Sequence, residues 1–248
     1  MITFSNLGNY GHLGNQMFQY ASIIGIAKKN GYDYCFPLHE LSLRKSSLPK
    51  WFDLTTKDQT YFGNIFNEQM FRFDFTLFDL PDNTDYFGYF QTEKYFEHCS
   101  SFIRNEFTFK NEIKQKVDEW FKNKNDSYIS VHVRRGDYLN LPTFHPIPEI
   151  EWYIEAMKSF PNKKFLFFSD DLDWCKQTFP EHEFSPFENE GEDMYAMSKC
   201  KGHIIANSSF SWWGAWLGKG KTIAPKTWFG LDGPQDWQDI YCKDWSII

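Results

Sequence analysis

Ser127-Tyr-Ile-Ser-Val-His-Val-Arg-Arg-Gly-Asp-Tyr138 is the stretch on which the fold turns. Ile129, Val131 and Val133 alternate with Ser130 and His132, and the run stops at two arginines and a glycine. Branched apolar residues at every second position fit a strand, here residues 127–134. Successive strand side chains point to opposite faces, so His132 and Arg134 share one face and Val131 and Val133 the other. Ending a buried strand on Arg134 and Arg135 is costly unless an anion or a carboxylate meets them. Guanidinium forks match phosphate oxygens, which makes Arg134 or Arg135 a candidate to hold a pyrophosphate and stabilise its charge as it departs. Asp137 offers one of the two a carboxylate partner instead, so the arginines are expected to divide these roles.

Toward the C-terminus strands alternate with helices. Helices are expected over 148–160, 171–179, 191–199 and 209–217, and strands over 164–169, 203–207 and 221–225. Such alternation implies a parallel sheet covered on both faces, with ligands outside the carboxyl ends of its strands.

Toward the N-terminus the pattern recurs: a strand over 2–6, a turn holding Gly8, Gly11 and Gly14, a helix over 15–30 stopped by Gly31, and a strand over 32–36. Residues 38–90 are aromatic and broken by Pro49 and Pro81, and residues 92–123 are expected to be mostly helical. The polar run at 123–127 is the expected boundary, giving an N-terminal lobe over 1–125 and a C-terminal lobe over 126–248.

Other stretches at strand ends carry candidate chemistry. Glycines between strand and helix let backbone approach a ligand, and the helix start offers N–H donors to an anion. Their spacing is neither GxGxxG nor GxxxxGK[ST], and for this stretch alone a tight turn with Asn15 as helix N-cap is the preferred reading. Ser208 and Ser209 also precede a helix, where they suit a phosphate, and Phe210 suits stacking on a base. Trp212, Trp213 and Trp216 have the spacing of a packed helix face. Asp171 and Asp173 suit either a divalent metal or the start of the helix at 171–179; the cap is preferred, which predicts no metal requirement. His12 and His145 are candidate proton carriers near neutral pH.

The 248 residues suffice for one large domain or two small ones. Net charge is −7 with no basic stripe, which argues against a nucleic-acid partner. Aromatics reach 20%, an excess assigned mainly to core packing. The five cysteines show no CxxC pair, and neither a signal peptide nor a membrane-length apolar run is evident. A cytoplasmic location is therefore expected, with at most peripheral contact at the cytoplasmic face of a membrane.

Gly11-His-Leu-Gly-Asn-Gln-Met-Phe-Gln-Tyr-Ala21, His132-Val-Arg-Arg-Gly-Asp-Tyr138, Phe167-Phe-Ser-Asp-Asp171 and the run from Asp193 to Trp216 together resemble glycosyltransferase family 11, the α-1,2-fucosyltransferases, in a bacterial form. The resemblance implies an α/β fold of the GT-B type: two Rossmann-like lobes, each a parallel sheet flanked by helices. It implies an inverting, metal-independent enzyme, without cofactor, that moves L-fucose from GDP-fucose to a galactose-containing acceptor glycan. GDP-colitose is the alternative donor, and a non-catalytic carbohydrate-binding protein the alternative class. Arg134 or Arg135 would meet the β-phosphate, His132 the guanine or ribose, Ser208, Ser209 and Phe210 the phosphate or base, and Asp193 the guanine. Gly14 and Asn15 would face the donor from the N-terminal lobe. Asp137, His145 and His12 are the candidates for a general base. This chain has His12 where many members have a second glycine.

Overall fold

The computed structural model describes residues 1–37, 48–56, 58–59, 61–124 and 127–248. It divides the chain into two compact units, residues 1–110 with 236–242 and residues 111–235 with 243–248.

In the first unit the described strands and α-helices are β1 (Ile2–Thr3), α1 (Leu13–Asn30), β2 (Tyr34–Cys35), α2 (Leu48–Trp51), β3 (Asn64–Asn67), β4 (Thr84–Phe87) and α3 (Ser100–Glu106). The strands form a parallel sheet in the order β2-β1-β4-β3. Helix α1 is buried along most of its length. A Cβ at Gly25 would lie 2.1 Å from the Tyr95 carbonyl oxygen, so only glycine lets that segment cross the helix. Gly31 closes α1 at φ 69°, as its sequence position predicts. At the other end the structure corrects the expectation. The helix begins at Leu13, His12 occupies the N-cap position, and Asn15 lies inside the first turn, where its side chain accepts from Gln91 Nε2 at 2.7 Å.

The second unit contains α4 (Asn111–Lys122), β5 (Tyr128–Val133), α5 (Ile150–Lys158), β6 (Lys164–Ser169), α6 (Leu172–Thr178), β7 (Glu183–Phe184), α7 (Glu190–Lys199), β8 (Gly202–Ile204), α8 (Ser209–Gly218), β9 (Lys221–Ala224) and β10 (Ser246–Ile247). All paired strands are parallel, in the order β10-β9-β8-β5-β6-β7. Every residue of β5 is buried. Ile129, Val131 and Val133 pack with Tyr153 of α5 and Phe179, which follows α6. Tyr128 packs on the opposite face with Val117 of α4 and Met197 of α7. The sheet is thus covered on both faces, and the polar residues of β5, Ser130 and His132, are buried with the apolar ones.

The division after Lys110 falls before the boundary expected near residue 125. Helix α4 belongs to the second unit because it packs on α7: Lys116 pairs with Glu192 at 2.8 Å, and the Tyr195 hydroxyl donates to Asp118 at 3.2 Å. Asn125 and Asp126, at the centre of the expected boundary, lie outside the described residues, as does most of the start of the 38–90 stretch. Trp212, Trp213 and Trp216 are core residues, with ring centroids 4.9–6.2 Å apart. No described helix is long and apolar enough to cross a membrane.

Candidate active site

From β5 the chain winds outward to β6 and β7, then returns to lay β8 against the other side of β5. Strand order therefore reverses between β5 and β8, and in open parallel sheets ligands bind outside the carboxyl ends at that point. Val131 pairs with Ile204 there. Beyond β5 the chain carries the arginine pair, and beyond β8 it carries Asn207-Ser208-Ser209, leading into α8.

Arg134 sits between two carboxylates, with Nη2 2.6 Å from Asp137 and Nη1 3.1 Å from Asp170. Its side chain remains 25% exposed. Arg135 is held more fully. Its Nε donates to Asp171 at 3.1 Å, its guanidinium lies 4.0 Å from the centre of the Trp174 ring, and its backbone N–H donates to Asp170 at 2.9 Å. Both arginines therefore meet carboxylates, Arg134 those of Asp137 and Asp170 and Arg135 that of Asp171 at the start of α6. Part-exposed ion pairs of this kind contribute about 1 kcal/mol or less. A Cβ at Gly136 would lie 2.3 Å from Asp170 Oδ2, so with any larger residue the turn or the carboxylate must shift.

Asp171 also caps α6 by accepting from the Trp174 N–H at 3.2 Å, as the cap alternative expected. Asp173 is solvent-exposed on the helix surface.

Tyr138 joins the two sides of the crevice, a role that its place in the sequence does not announce. Tyr138 lies within the tight helical turn Asp137–Asn140, and its hydroxyl donates to the Asn207 carbonyl at 3.0 Å. The Arg134 guanidinium lies 5.3 Å from the centre of its ring, and His145 stacks on the ring at 4.2 Å with the planes 8° apart. Asn207 is buried and donates to the carbonyls of Pro146 and Trp228, both at 2.9 Å, while its Oδ1 has no hydrogen-bond partner. Periodicity cannot reveal Tyr138, whose function depends on how the turn folds back.

His132 is 4% exposed, 5.5 Å from the Phe210 ring, and its Nδ1 has no hydrogen-bond partner. Burial, aided by the Arg134 charge, pushes its pKa down to about 3, so its imidazole is neutral. Burial also lowers the pKa of His145, and Asp137 partly offsets that. Ser208 is buried at the N-cap position of α8, with Ser209 and Phe210 half-buried beside it. Asp193 lies in the first turn of α7, accepts from the Ser185 hydroxyl, and is pushed by burial up to about 7. Gly14 is buried and Asn15 half-buried in the first unit, and His12 is exposed at the start of α1.

Comparison with known proteins places this geometry in a family context. The family model "Glycosyl transferase family 11" matches residues 4–248. An alpha-1,2-colitosyltransferase of Escherichia coli is 32% identical, with 88% of this chain and 90% of that protein aligned. The galactoside 2-alpha-L-fucosyltransferase SEC1 of Bos taurus is 26% identical over 86% of this chain and 64% of its own length. Among solved structures, the NodZ alpha-1,6-fucosyltransferase soaked with GDP-fucose superposes with a TM-score of 0.56 at 15% identity, covering 87% of this chain and 91% of that one. That likeness is one of fold, and it agrees with the two α/β units of the GT-B type.

Proposed function

The chain belongs to glycosyltransferase family 11, and from that premise we propose that it transfers L-fucose from GDP-fucose to a galactose hydroxyl, forming an α-1,2 linkage with inversion. The observation that carries this reading is the cationic end of β5 beside the serine-lined start of α8, where the strand order reverses. Arg134 keeps donors beyond those used on Asp137 and Asp170, and it is the arginine assigned to the β-phosphate. Arg135 positions the turn. N–H groups at the start of α8 add donors toward the same phosphate.

The acceptor oxygen bonds to C1 of the sugar while the bond from C1 to the phosphate oxygen breaks, and the hydroxyl proton passes to a base or to solvent. Negative charge gathers on GDP as it leaves. Preorganised donors stabilise such charge, and losing one typically costs about 10²–10³ in rate. This supports a reaction independent of metal. Asp137, 55% exposed beside Arg134, is the carboxylate of this unit best placed to take the proton. Phe210 and His132 line the base side, and Asp193, from α7, is assigned to guanine.

A second reading keeps the mechanism and changes the donor to GDP-colitose. It is favoured by the 32% identity to the colitosyltransferase, against 26% to the bovine fucosyltransferase. Incubating the protein with each donor and a panel of galactose-ended acceptors, with and without EDTA, and determining the product linkage distinguishes them. Transfer of neither sugar, or activity abolished by EDTA, overturns the proposal.

A further inference from the structure

In the first unit strand order also reverses, between β1 and β4: the chain leaves β1 through α1 to β2, then returns to β4 on the other side of β1 by way of β3. The loops leaving β1 and β4 at this point each present a tyrosine to solvent. Tyr10 is 43% exposed and Tyr89 is 40% exposed, and their ring centroids are 6.4 Å apart, edge to face. The two loops are fastened together from beneath. Buried Gln19 of α1 donates through Nε2 to the carbonyls of both Tyr10, at 3.3 Å, and Gly88, at 3.1 Å.

Glu68, just past β3, completes the cluster. Its carboxylate accepts from the N–H groups of Tyr89 at 2.7 Å and Phe90 at 3.0 Å. Gly88 makes this approach possible, since a Cβ there would lie 2.4 Å from the Glu68 Cβ. Two backbone donors fix the carboxylate in place, and an ionised carboxylate has about four lone-pair sites, so it retains accepting capacity. Burial raises the Glu68 pKa to about 7, against the pull of the two N–H groups. The Phe and Tyr side chains that build the core nearby, Phe4, Tyr86 and Phe90, are buried. Tyr10 and Tyr89 are not, and an exposed aromatic pair tied in register is poorly explained by packing.

We infer that Tyr10, Tyr89 and Glu68 form the acceptor-sugar subsite, which takes a neutral pyranoside with its C–H face on the tyrosine pair and hydroxyls donating to the Glu68 carboxylate. The inference rests on the glycosyltransferase reading above and names the residues that choose its acceptor. Aromatic faces suit the C–H side of a pyranose, and a fixed carboxylate suits adjacent hydroxyl groups. Selectivity follows from the polar part: a sugar lacking the hydroxyl forfeits its bond to the remaining accepting capacity of the Glu68 carboxylate.

Saturation-transfer NMR with methyl β-D-galactopyranoside, recorded on the full chain with GDP present, tests the inference. The wild type is expected to transfer saturation to the sugar ring protons. Tyr89→Ala and Tyr10→Ala are expected to weaken binding at least fivefold, and Tyr89→Phe to restore it, while all three bind GDP as the wild type does. Both tyrosines are exposed at loop positions, and circular dichroism verifies that the variants fold. In transfer assays the alanine variants raise the acceptor KM with little change in donor KM. Undiminished sugar signals in both alanine variants, or no signal from the wild type, overturn the subsite. Failure of the wild type to bind GDP or process either GDP-sugar overturns the glycosyltransferase reading instead, whatever the sugar signals show.

Discussion

The Tyr138 hydroxyl donates to the Asn207 carbonyl at 3.0 Å, closing a link between the loop after β5 and the loop after β8. Both loops belong to the proposed phosphate site, so this bond sets the distance between its two halves. Tyr138→Phe keeps the ring that contacts Arg134 and His145 and deletes only the link. It also leaves the carbonyl of a buried residue without this donor. Removing one such partner costs about 1–3 kcal/mol. GDP affinity, measured by calorimetry, is expected to fall about tenfold, a factor worth about 1.4 kcal/mol. An unchanged affinity would show that the two loops hold their spacing without the bond.

The arginines should separate by the quantity each one affects. Arg134→Ala removes a phosphate donor but only part-exposed ion pairs, so turnover should fall by about 10²–10³ with little change in Tm. Arg135→Ala removes the guanidinium from Trp174 and from the carboxylate that caps α6. It should lower Tm more than Arg134→Ala, as differential scanning calorimetry will report. Arg135→Lys is expected to recover little of that loss, since an ammonium lacks the flat face that stacks on indole.

Much of this was legible in the sequence. Alternating apolar residues mark β5 as a strand, the continuous apolar run over residues 165–168 marks β6 as a buried one, and the intervening helix makes their pairing parallel. Two-residue strands such as β7 and β10 carry no periodic signal, and the sheet's edges therefore emerge only in three dimensions. The arginine pair was conspicuous because charge at a buried strand end needs a partner. Which carboxylate each arginine meets was not, because Asp170 and Asp171 arrive from the next strand. Asn15 suits an N-cap by residue type, yet α1 begins two residues earlier and Gln91 claims its side chain. Tyr10 and Tyr89 could not be told from the many core aromatics by composition, since exposure alone separates them.

Gly136→Ala tests how tightly the turn after the arginines is built. The added methyl would meet Asp170 Oδ2 at 2.3 Å, and that carboxylate also holds Arg134 and the Arg135 N–H. The turn or the carboxylate must shift by roughly 1 Å, and misplacement of that size in a catalytic site costs about 10² in rate. Gly136→Ala is therefore expected to lose turnover while retaining the circular dichroism of the wild type. Full activity would mean that Asp170 can move aside freely.

The dependence of stability on pH should expose two opposing groups in the second unit. Asp193 has a folded-state pKa of about 7, above the ordinary carboxylate value, because burial disfavours its charge. From roughly pH 4 to 7 the folded state keeps a proton that the unfolded state has lost, so the contribution of Asp193 is full at acid pH and disappears as pH rises through 7. Buried His132 has the opposite sign. Its folded-state pKa is about 3, so the unfolded state binds the extra proton between that value and roughly pH 6.5. Its contribution is present above that window and lost as pH falls through it. Across roughly pH 4–6.5 the two slopes offset one another, each at most about 1.4 kcal/mol per pH unit. Asp193→Asn removes one slope and unmasks the other. In chemical denaturation the variant should gain stability relative to the wild type steadily as pH rises from 5 to 7. A difference that stays constant over this range would mean that Asp193 ionises in the folded protein as freely as in the unfolded chain.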